Sequence, residues 1–371
     1  MTESKCVHTA VIMAGGVGER FWPVSRQDKP KQLLPFNQSD KSMLHEVVEH
    51  AAALVKMDNV FIITSRQLEQ PIRDAALPIR EENIIVEPCK RNTTGALAYM
   101  AAYLMAHYPD RVPEQISMAV LTVDYRVGDC HAFLRSAHAA MKVADEEDAL
   151  VAYGVVPTCP ATGLGYIETA PNCNQKFPPS VFKAVAFHEK PELEQAQKFL
   201  ASKRYYWNSG LFFWRIAVFL KELAETSPQV VAIIKSMQAA LINDNIAVAQ
   251  KQFAELENIS IDYALMEHAG NVMMVEAALD SPDVGTWTAL RRDEHLDKDG
   301  NYREGDPVVL DCRDCTIVNA SGAEKMAVAA LGLKGVTVVV TDDAVLVMES
   351  TKEQDVRRVV EELKSRGASQ V

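Results

Sequence analysis

The chain has 371 residues, 48% of them hydrophobic, enough for one large or two unequal domains with a substantial core. Its 38 Lys and Arg against 50 Asp and Glu leave a net charge of −12. That balance argues against a sequence-independent grip on nucleic acid or on an anionic membrane, so any anionic ligand needs a local cluster of cations.

The opening "MTESKCVHTAVIMAGG" lacks a basic start, a long apolar core and a small-residue cleavage site. No apolar run reaches the roughly 18 residues that a membrane helix needs. Seven scattered cysteines fit reduced thiols better than a disulfide framework. The expectation is a cytoplasmic protein with no nucleic-acid or membrane partner.

Apolar runs at 7–14, 59–64, 83–88 and 116–123 read as strands. Between the first two, Met43, Leu44, Val47, Val48, Ala51, Leu54 and Val55 recur at helical spacing, and a second helical pattern follows Thr93. Strands that are apolar throughout and separated by helices imply an α/β fold with a parallel sheet covered on both faces. Its ligand crevice belongs at the carboxyl ends of the strands. "ALAYMAAYLMAHY" (96–108) is too short to span a bilayer and reads as a buried helix.

From about 150 the pattern changes. "LVAYGVV", "GLGYIET", "SVFKAVAFHEKP" and "WNSGLFFW" read as further strands, followed by helices up to about 269. Short β runs fill 306–349 after the polar stretch "RRDEHLDKDGNYREGDP", and a last helix carries a capping box at Thr351 and Gln354 with a stop at Gly367. The expected division is a main domain over 1–299 and a small C-terminal unit over 300–371. Cys312 and Cys315 form a lone C-x-x-C, which reads as two small core side chains because no partner pair has metal-ligand spacing. "HEVVEH" (45–50) mimics a zinc motif, but histidines five apart do not share a helix face. Both are expected at the surface.

"AGGVGERFWPVSRQDKPKQLLPF" (14–36) follows the first strand directly and puts Gly15, Gly16 and Gly18 just ahead of Arg20, Arg26, Lys29 and Lys31. Glycines let backbone N–H groups approach phosphate oxygens. A Walker loop is excluded, because the chain contains no Gly-Lys pair. A dinucleotide fingerprint is excluded too: Phe21 stands where its third glycine is required. A glycine loop with dense cations after it points to a polyphosphate, or else to a tight turn with solvated cations.

"GGVGERFWPVSRQDKPKQLL" resembles the signature loop of the sugar-1-phosphate nucleotidyltransferases. "VEPCKRNTTGALA", "TGLGYIE", "HEKPELEQA", "YYWNSGLFFW", "SIDYALMEHA" and "DVGTWTAL" continue the likeness in the family's order. The resemblance implies a Rossmann-like mixed, mainly parallel sheet with helices on both faces, plus a small β-helix-like C-terminal unit ending in a helix. It also implies attack of a sugar 1-phosphate on the α-phosphorus of GTP, nearest to the branch that uses mannose 1-phosphate, with Mg²⁺ as cofactor.

Carried over residue by residue, Arg20 and Lys31 are the implied catalytic cations. Gly15, Gly16, Gly18, Glu87, Arg91, Asn92 and Thr93 are the implied nucleotide site. Gly165, Glu189, Lys190 and Asn208 are implied to bind the sugar phosphate, and Asp124 and Asp283 the metal. Asp262 is either a sugar contact or a helix cap. The chain departs from the family pattern at Tyr125, where a His is usual, and at Ser281 and Pro282, where Trp-Ser is usual. Another hexose or heptose 1-phosphate, another NTP, and a non-catalytic sugar-nucleotide-binding regulator stay open. The apolar C-terminal strands suggest a homodimer surface.

Overall fold

The computed structural model describes residues 6–16, 18–35, 41–173, 176–177, 180–281, 285–291 and 295–371. Pro282 and Asp283 lie outside the described residues. The chain groups into two units, one from residues 1–15, 46–69 and 77–282, the other from 16–45, 70–76 and 283–371. The glycine loop after Gly15 therefore groups with the C-terminal residues.

The first unit holds β1 (Val7–Ala14), β2 (Val60–Ser65), β3 (Ile84–Glu87), β4 (Ile116–Thr122), β5 (Leu150–Val155), β6 (Tyr166–Cys173), β7 (Val181–His188), β8 (Tyr205–Arg215) and β9 (Val272–Glu276). They form one mixed sheet in the order β3-β2-β1-β4-β8-β5-β9-β7-β6. The β3-β2-β1-β4 part is parallel, so all four strands end on the same edge. Antiparallel β8 joins this part to the second half. The expected α/β fold is present, with the ends of β1 to β4 within one residue of expectation and those of β6 and β7 displaced by up to four.

The helices are α1 (Met43–Leu54), α2 (Arg66–Asp74), α3 (Asn92–His107), α4 (Cys130–Glu146), α5 (Leu193–Ser202), α6 (Ile216–Thr226), α7 (Pro228–Ile242), α8 (Ile246–Phe253) and α9 (Val356–Ser365). Helix α3 is the apolar run expected as a buried helix. Its Leu97, Ala101 and Leu104 share a core with Val11, Met118, Phe212 and Trp214 of the sheet and with Ile234 and Met237 of α7. A helix apolar on every side is stable only when covered on every side. No described helix is long and apolar enough to cross a membrane. Helix α4 shows the opposite pattern, one buried face and an N-cap at Asp129, whose carboxylate accepts from the Ala132 N–H at 3.0 Å.

Strand β9 has no counterpart among the expected elements. "VMMVE" is five residues long, too short for periodicity to separate strand from helix end. Its identity comes from its neighbours, β5 in parallel and β7 antiparallel.

In the second unit, β10 (Tyr302–Glu304), β12 (Thr316–Asn319), β14 (Val336–Val340) and β15 (Val345–Glu349) form one sheet, and β11 (Val308–Leu310) and β13 (Ala329–Leu331) another. The registers Val308↔Ala329 and Thr316↔Thr337 both advance the chain by 21 residues, so each turn of this coil stacks in parallel on the last. Cys312 and Cys315 sit in its core with Ile317, Val328 and Ala330, which is the structural reading of the C-x-x-C.

Two local expectations are corrected. Residues 350–355 form a 3-10 turn and α9 starts only at Val356, so Thr351 and Gln354 do not cap it; Gln354 instead accepts a hydrogen bond from Arg20. Gly367 does end the helix, at φ 67°. His45 and His50 are half-buried, not surface residues. His45 Nδ1 pairs with Ser42 Oγ at 2.8 Å and His50 Nδ1 with Tyr125 Oη at 3.2 Å, so the two rings serve separate packing sites.

Candidate active site

The parallel strands place three candidate residues of the first unit along one edge. Strand β1 stops at Ala14, whose carbonyl accepts from the buried Thr64 hydroxyl at 2.8 Å, and Gly15 follows. Glu87 closes β3 with its Oε1 3.8 Å from where a Cβ on Gly15 would lie, so the carboxylate and the start of the glycine loop are neighbours. Burial pushes the Glu87 carboxyl up to about 7, with Lys90 pulling the other way. Asp124 stands half-buried two residues past the end of β4.

Beyond Asp124 the chain is tied to the segment that leads toward Asp283. Arg126 forms an antiparallel bridge with Ser281: the Arg126 N–H donates to the Ser281 carbonyl at 2.9 Å, and the Asp280 N–H donates back to Arg126 at 3.0 Å.

Tyr125 turns inward. Its ring is buried, lies 5.6 Å from Phe133 centroid to centroid, and bonds His50. Burial drives the phenol well above its usual range and His50 below its own, so both stay neutral near pH 7. The departure from the family's His is therefore accommodated as core packing between α1 and α4.

The side chains of the loop after Glu87 make contacts within the chain. Arg91 Nη2 donates to the Ala254 carbonyl at 2.6 Å, and Thr93 Oγ1 accepts from the Ile261 N–H at 2.8 Å. Asn92 starts α3 at φ 58° with its Oδ1 taking the Thr93 N–H at 2.9 Å. Arg91 and Thr93 hold the main chain that runs from α8 to Asp262.

On the antiparallel half, the candidate sugar residues meet. The Asn208 N–H donates to Gly165 at 2.8 Å, and a Cβ on Gly165 would lie 2.5 Å from Glu189 Oε2 and 3.5 Å from Asn208 Cβ. A side chain at residue 165 would force that carboxylate to shift. Lys190, at φ 47°, bonds Glu189. Asn208 Nδ2 donates to Asp262 Oδ1 at 2.8 Å, while Asn208 Oδ1 accepts from the Gly210 N–H at 3.1 Å. Gly210 at φ 72° and a register shift between Ala152 and Gly154 bend β8 at this point. Burial, and then the neighbouring Glu189, push the Asp262 carboxyl up to about 6. Sequence reasoning left Asp262 undecided, because nothing in "SIDY" distinguishes a cap from a ligand.

In the second unit the glycine loop is a tight knot. Gly18 at φ 72° leaves no room for a side chain, since a Cβ would fall 2.3 Å from Lys31 Cβ. Its carbonyl accepts from Ser25 Oγ at 2.8 Å and from the Phe21 N–H at 2.9 Å, and Gly16 accepts from Gln32. Lys31 is largely buried, its amine 5.3 Å from the Phe21 ring centre. Arg20 Nη1 donates to Gln354 at 3.3 Å. Arg26 is committed to Asp343 at 2.7 Å and to the Pro23 carbonyl at 2.7 Å, whereas Lys29 is exposed.

A family model described as nucleotidyl transferase matches residues 9–299, and one described as a MannoseP isomerase/GMP-like beta-helix domain matches residues 305–363. The chain belongs to the nucleotidyl transferase family. Members typically use a divalent metal. This nucleotidyltransferase is 35% identical to a mannose-1-phosphate guanylyltransferase of Klebsiella pneumoniae, over 97% of its own length and 74% of the relative's. It is 36% identical to one of Escherichia coli, over 95% and 73%. A solved structure from Thermus thermophilus, described as mannose-1-phosphate geranyltransferase, superposes with TM-score 0.82 at 31% identity, covering 96% of this chain and 99% of the other.

A magnesium-like ion is usually held by one or two carboxylates together with substrate phosphates, so no preformed protein cage is required. Asp124, half-buried at a strand end and chemically an oxygen donor, fits such a role. The one three-residue grouping of metal-ligand types among the described residues, Cys6, His8 and Asp145, does not include it.

Proposed function

We propose that this nucleotidyltransferase transfers GMP from GTP to mannose 1-phosphate, yielding GDP-mannose and pyrophosphate. A phosphate oxygen of the sugar attacks the α-phosphorus, the bond from that phosphorus to the bridging oxygen of the β-phosphate breaks, and pyrophosphate leaves with the electron pair. Both substrates are anions, so the protein's work is to position them and to offset charge.

The reading rests most directly on one observation: Gly165, Glu189, Lys190 and Asn208, separate in sequence, form one contiguous cluster with a cation and hydrogen-bonding groups suited to a sugar phosphate. The similarity, over nearly all of this chain and about three quarters of relatives named mannose-1-phosphate guanylyltransferase, supports the choice of sugar and base. Lys190 is assigned to the sugar's phosphate, and Arg20 and Lys31 to the triphosphate. The amides at Gly15, Gly16 and Gly18 are assigned to the nucleotide backbone.

Glu87 suits the guanine edge, whose N1–H and exocyclic amine are both donors; adenine would leave the carboxylate facing an acceptor. Arg91, Asn92 and Thr93, which follow Glu87 in the chain, are assigned to the nucleotide with it. Asp124 and Asp283 are assigned to Mg²⁺, which when bound would neutralise phosphate charge. We place the boundary between catalytic and β-helical parts at 299/300.

The test is a matrix of the four NTPs against mannose, glucose and galactose 1-phosphates, read by pyrophosphate release and by product mass. GTP with mannose 1-phosphate should give the highest kcat/KM. A higher value for another pair would replace the substrate assignment, and no release from any pair would remove the enzymatic one.

A further inference from the structure

The cluster around Asn208 has an uneven supply of hydrogen-bonding groups. Its donors are Lys190 and the second N–H of the Asn208 amide, since the first is given to Asp262. The amide oxygen of Asn208 is occupied by the Gly210 N–H. A hexose phosphate brings a phosphate, which needs donors, and ring hydroxyls, which need acceptors as well. The acceptors at hand are two carboxylates, Glu189 and Asp262.

Asp262 is also held with unusual care. It opens a π-helical turn, Asp262–Met266, a widened geometry that recurs at functional sites. The turn is pinned by Thr93 through Ile261 at 2.8 Å, and its Ala264, Leu265 and Met266 are buried. Tyr263, the next residue along, is 47% exposed, so this side of the turn opens outward while the other side is packed. Two carboxylates set side by side repel each other, an arrangement that is costly unless something is gained from it. Lys190 is paired with Glu189, the neighbour of Asp262 in this arrangement.

We infer that Asp262 is a sugar-binding, specificity-determining residue that accepts a hydrogen bond from a ring hydroxyl of the hexose 1-phosphate, beside Glu189. This deepens the proposed function and rests on the same pocket binding the sugar. Asn208 links the two roles: by donating to Asp262 Oδ1 it orients the carboxylate so that its remaining lone pairs face the ligand. The chemistry predicts discrimination by hydroxyl pattern, because a sugar lacking the contacted group leaves a buried acceptor unpaired.

The decisive variant is Asp262→Asn, which keeps an oxygen for Asn208 to bond and removes the charge. The expected result is a KM for mannose 1-phosphate raised about 10- to 100-fold, the loss from one hydrogen bond to a charged acceptor, with KM for GTP unchanged. In the reverse direction KM for GDP-mannose rises and that for pyrophosphate does not. Among the 2-, 3- and 4-deoxy analogues, one should be used equally by wild type and variant, identifying the contacted hydroxyl. Thermal unfolding of the variant and of Asp262→Ala checks that both fold.

A KM for the sugar within about twofold of wild type, or equal shifts in both KM values, would overturn the inference and leave Asp262 a structural anchor. If wild type prefers a different hexose 1-phosphate, the mannose assignment fails while the same split is read with the preferred sugar. If calorimetry finds no hexose 1-phosphate bound at all, both fail.

Discussion

The two halves of the nine-stranded sheet hold their candidate site residues by different means. In the parallel half, Gly15, Glu87 and Asp124 stand at or just past the ends of neighbouring strands, each placed by the stop of its own buried strand. In the antiparallel half, Gly165, Glu189, Lys190, Asn208 and Asp262 are placed by one another, through a bent strand, two positive-φ backbones and a chain of side-chain bonds. Topology alone aligns the first set. The second set depends on a network, and networks respond to mutation non-additively.

The largest effect should come from the parallel half. Asp124→Asn preserves shape and removes a charge, so turnover should fall by about 10²- to 10³-fold, as for loss of one preorganised electrostatic group. The metal titration should shift with it. An unchanged titration at reduced rate would leave Asp124 a strand-end residue without a ligand role.

Gly165→Ala probes the network. The added methyl would sit 2.5 Å from Glu189 Oε2 and must displace it, so KM for the sugar phosphate should rise about 10-fold or more, with GTP unaffected. Combined with Asp262→Asn, the two losses should be less than additive, with a coupling of about 0.5–3 kcal/mol. Strict additivity would show that the cluster is a set of independent contacts like those of the other half.

Acid should separate the halves in sequence. The Glu87 carboxyl is raised by burial to about 7 and protonates below that pH, losing its acceptor for the guanine donors. KM for GTP should therefore rise up to about tenfold per unit as pH falls below 7, and stay flat above it. Asp262, raised by burial and by Glu189 to about 6, should lose its own acceptor role only at lower pH, so KM for the sugar should begin to rise about one unit later. Coincident profiles would break the distinction. A Glu87→Gln variant should abolish the first rise only.

The smallest effect is expected at Tyr125→Phe. It removes the bond to His50 while keeping the stack on Phe133, so stability should fall by about 0.5–1.5 kcal/mol in chemical denaturation, with kcat nearly unchanged. A large loss of kcat would instead give Tyr125 a part in turnover.

Much of the parallel half was legible in advance. Strands β1 to β4 are apolar throughout because helices cover both faces, and that pattern is written in local sequence. The carboxyl ends of such strands are where a crevice forms, so Glu87 and Asp124 could be named from position and motif. Strand β9 was missed because five residues carry too little periodicity. The capping box at Thr351 failed because a 3-10 turn competed for the same residues, and Gln354 found a different partner. Arg91 and Thr93 could be named but not understood, since each supports main chain far away in sequence.

By itself the sequence determined the periods of its elements, the cations after the glycine loop and the exclusion of the two common phosphate-binding fingerprints, because these depend on neighbours within a few residues along the chain. Only the tertiary structure decided that Asn208 would meet Asp262, 54 positions away, and that Tyr125 would turn into the core. Such meetings are set by strand register, by a bulge and by a widened helical turn. Each of these arises from pairings between distant segments, and a linear pattern carries no direct trace of which distant backbone its residues will meet.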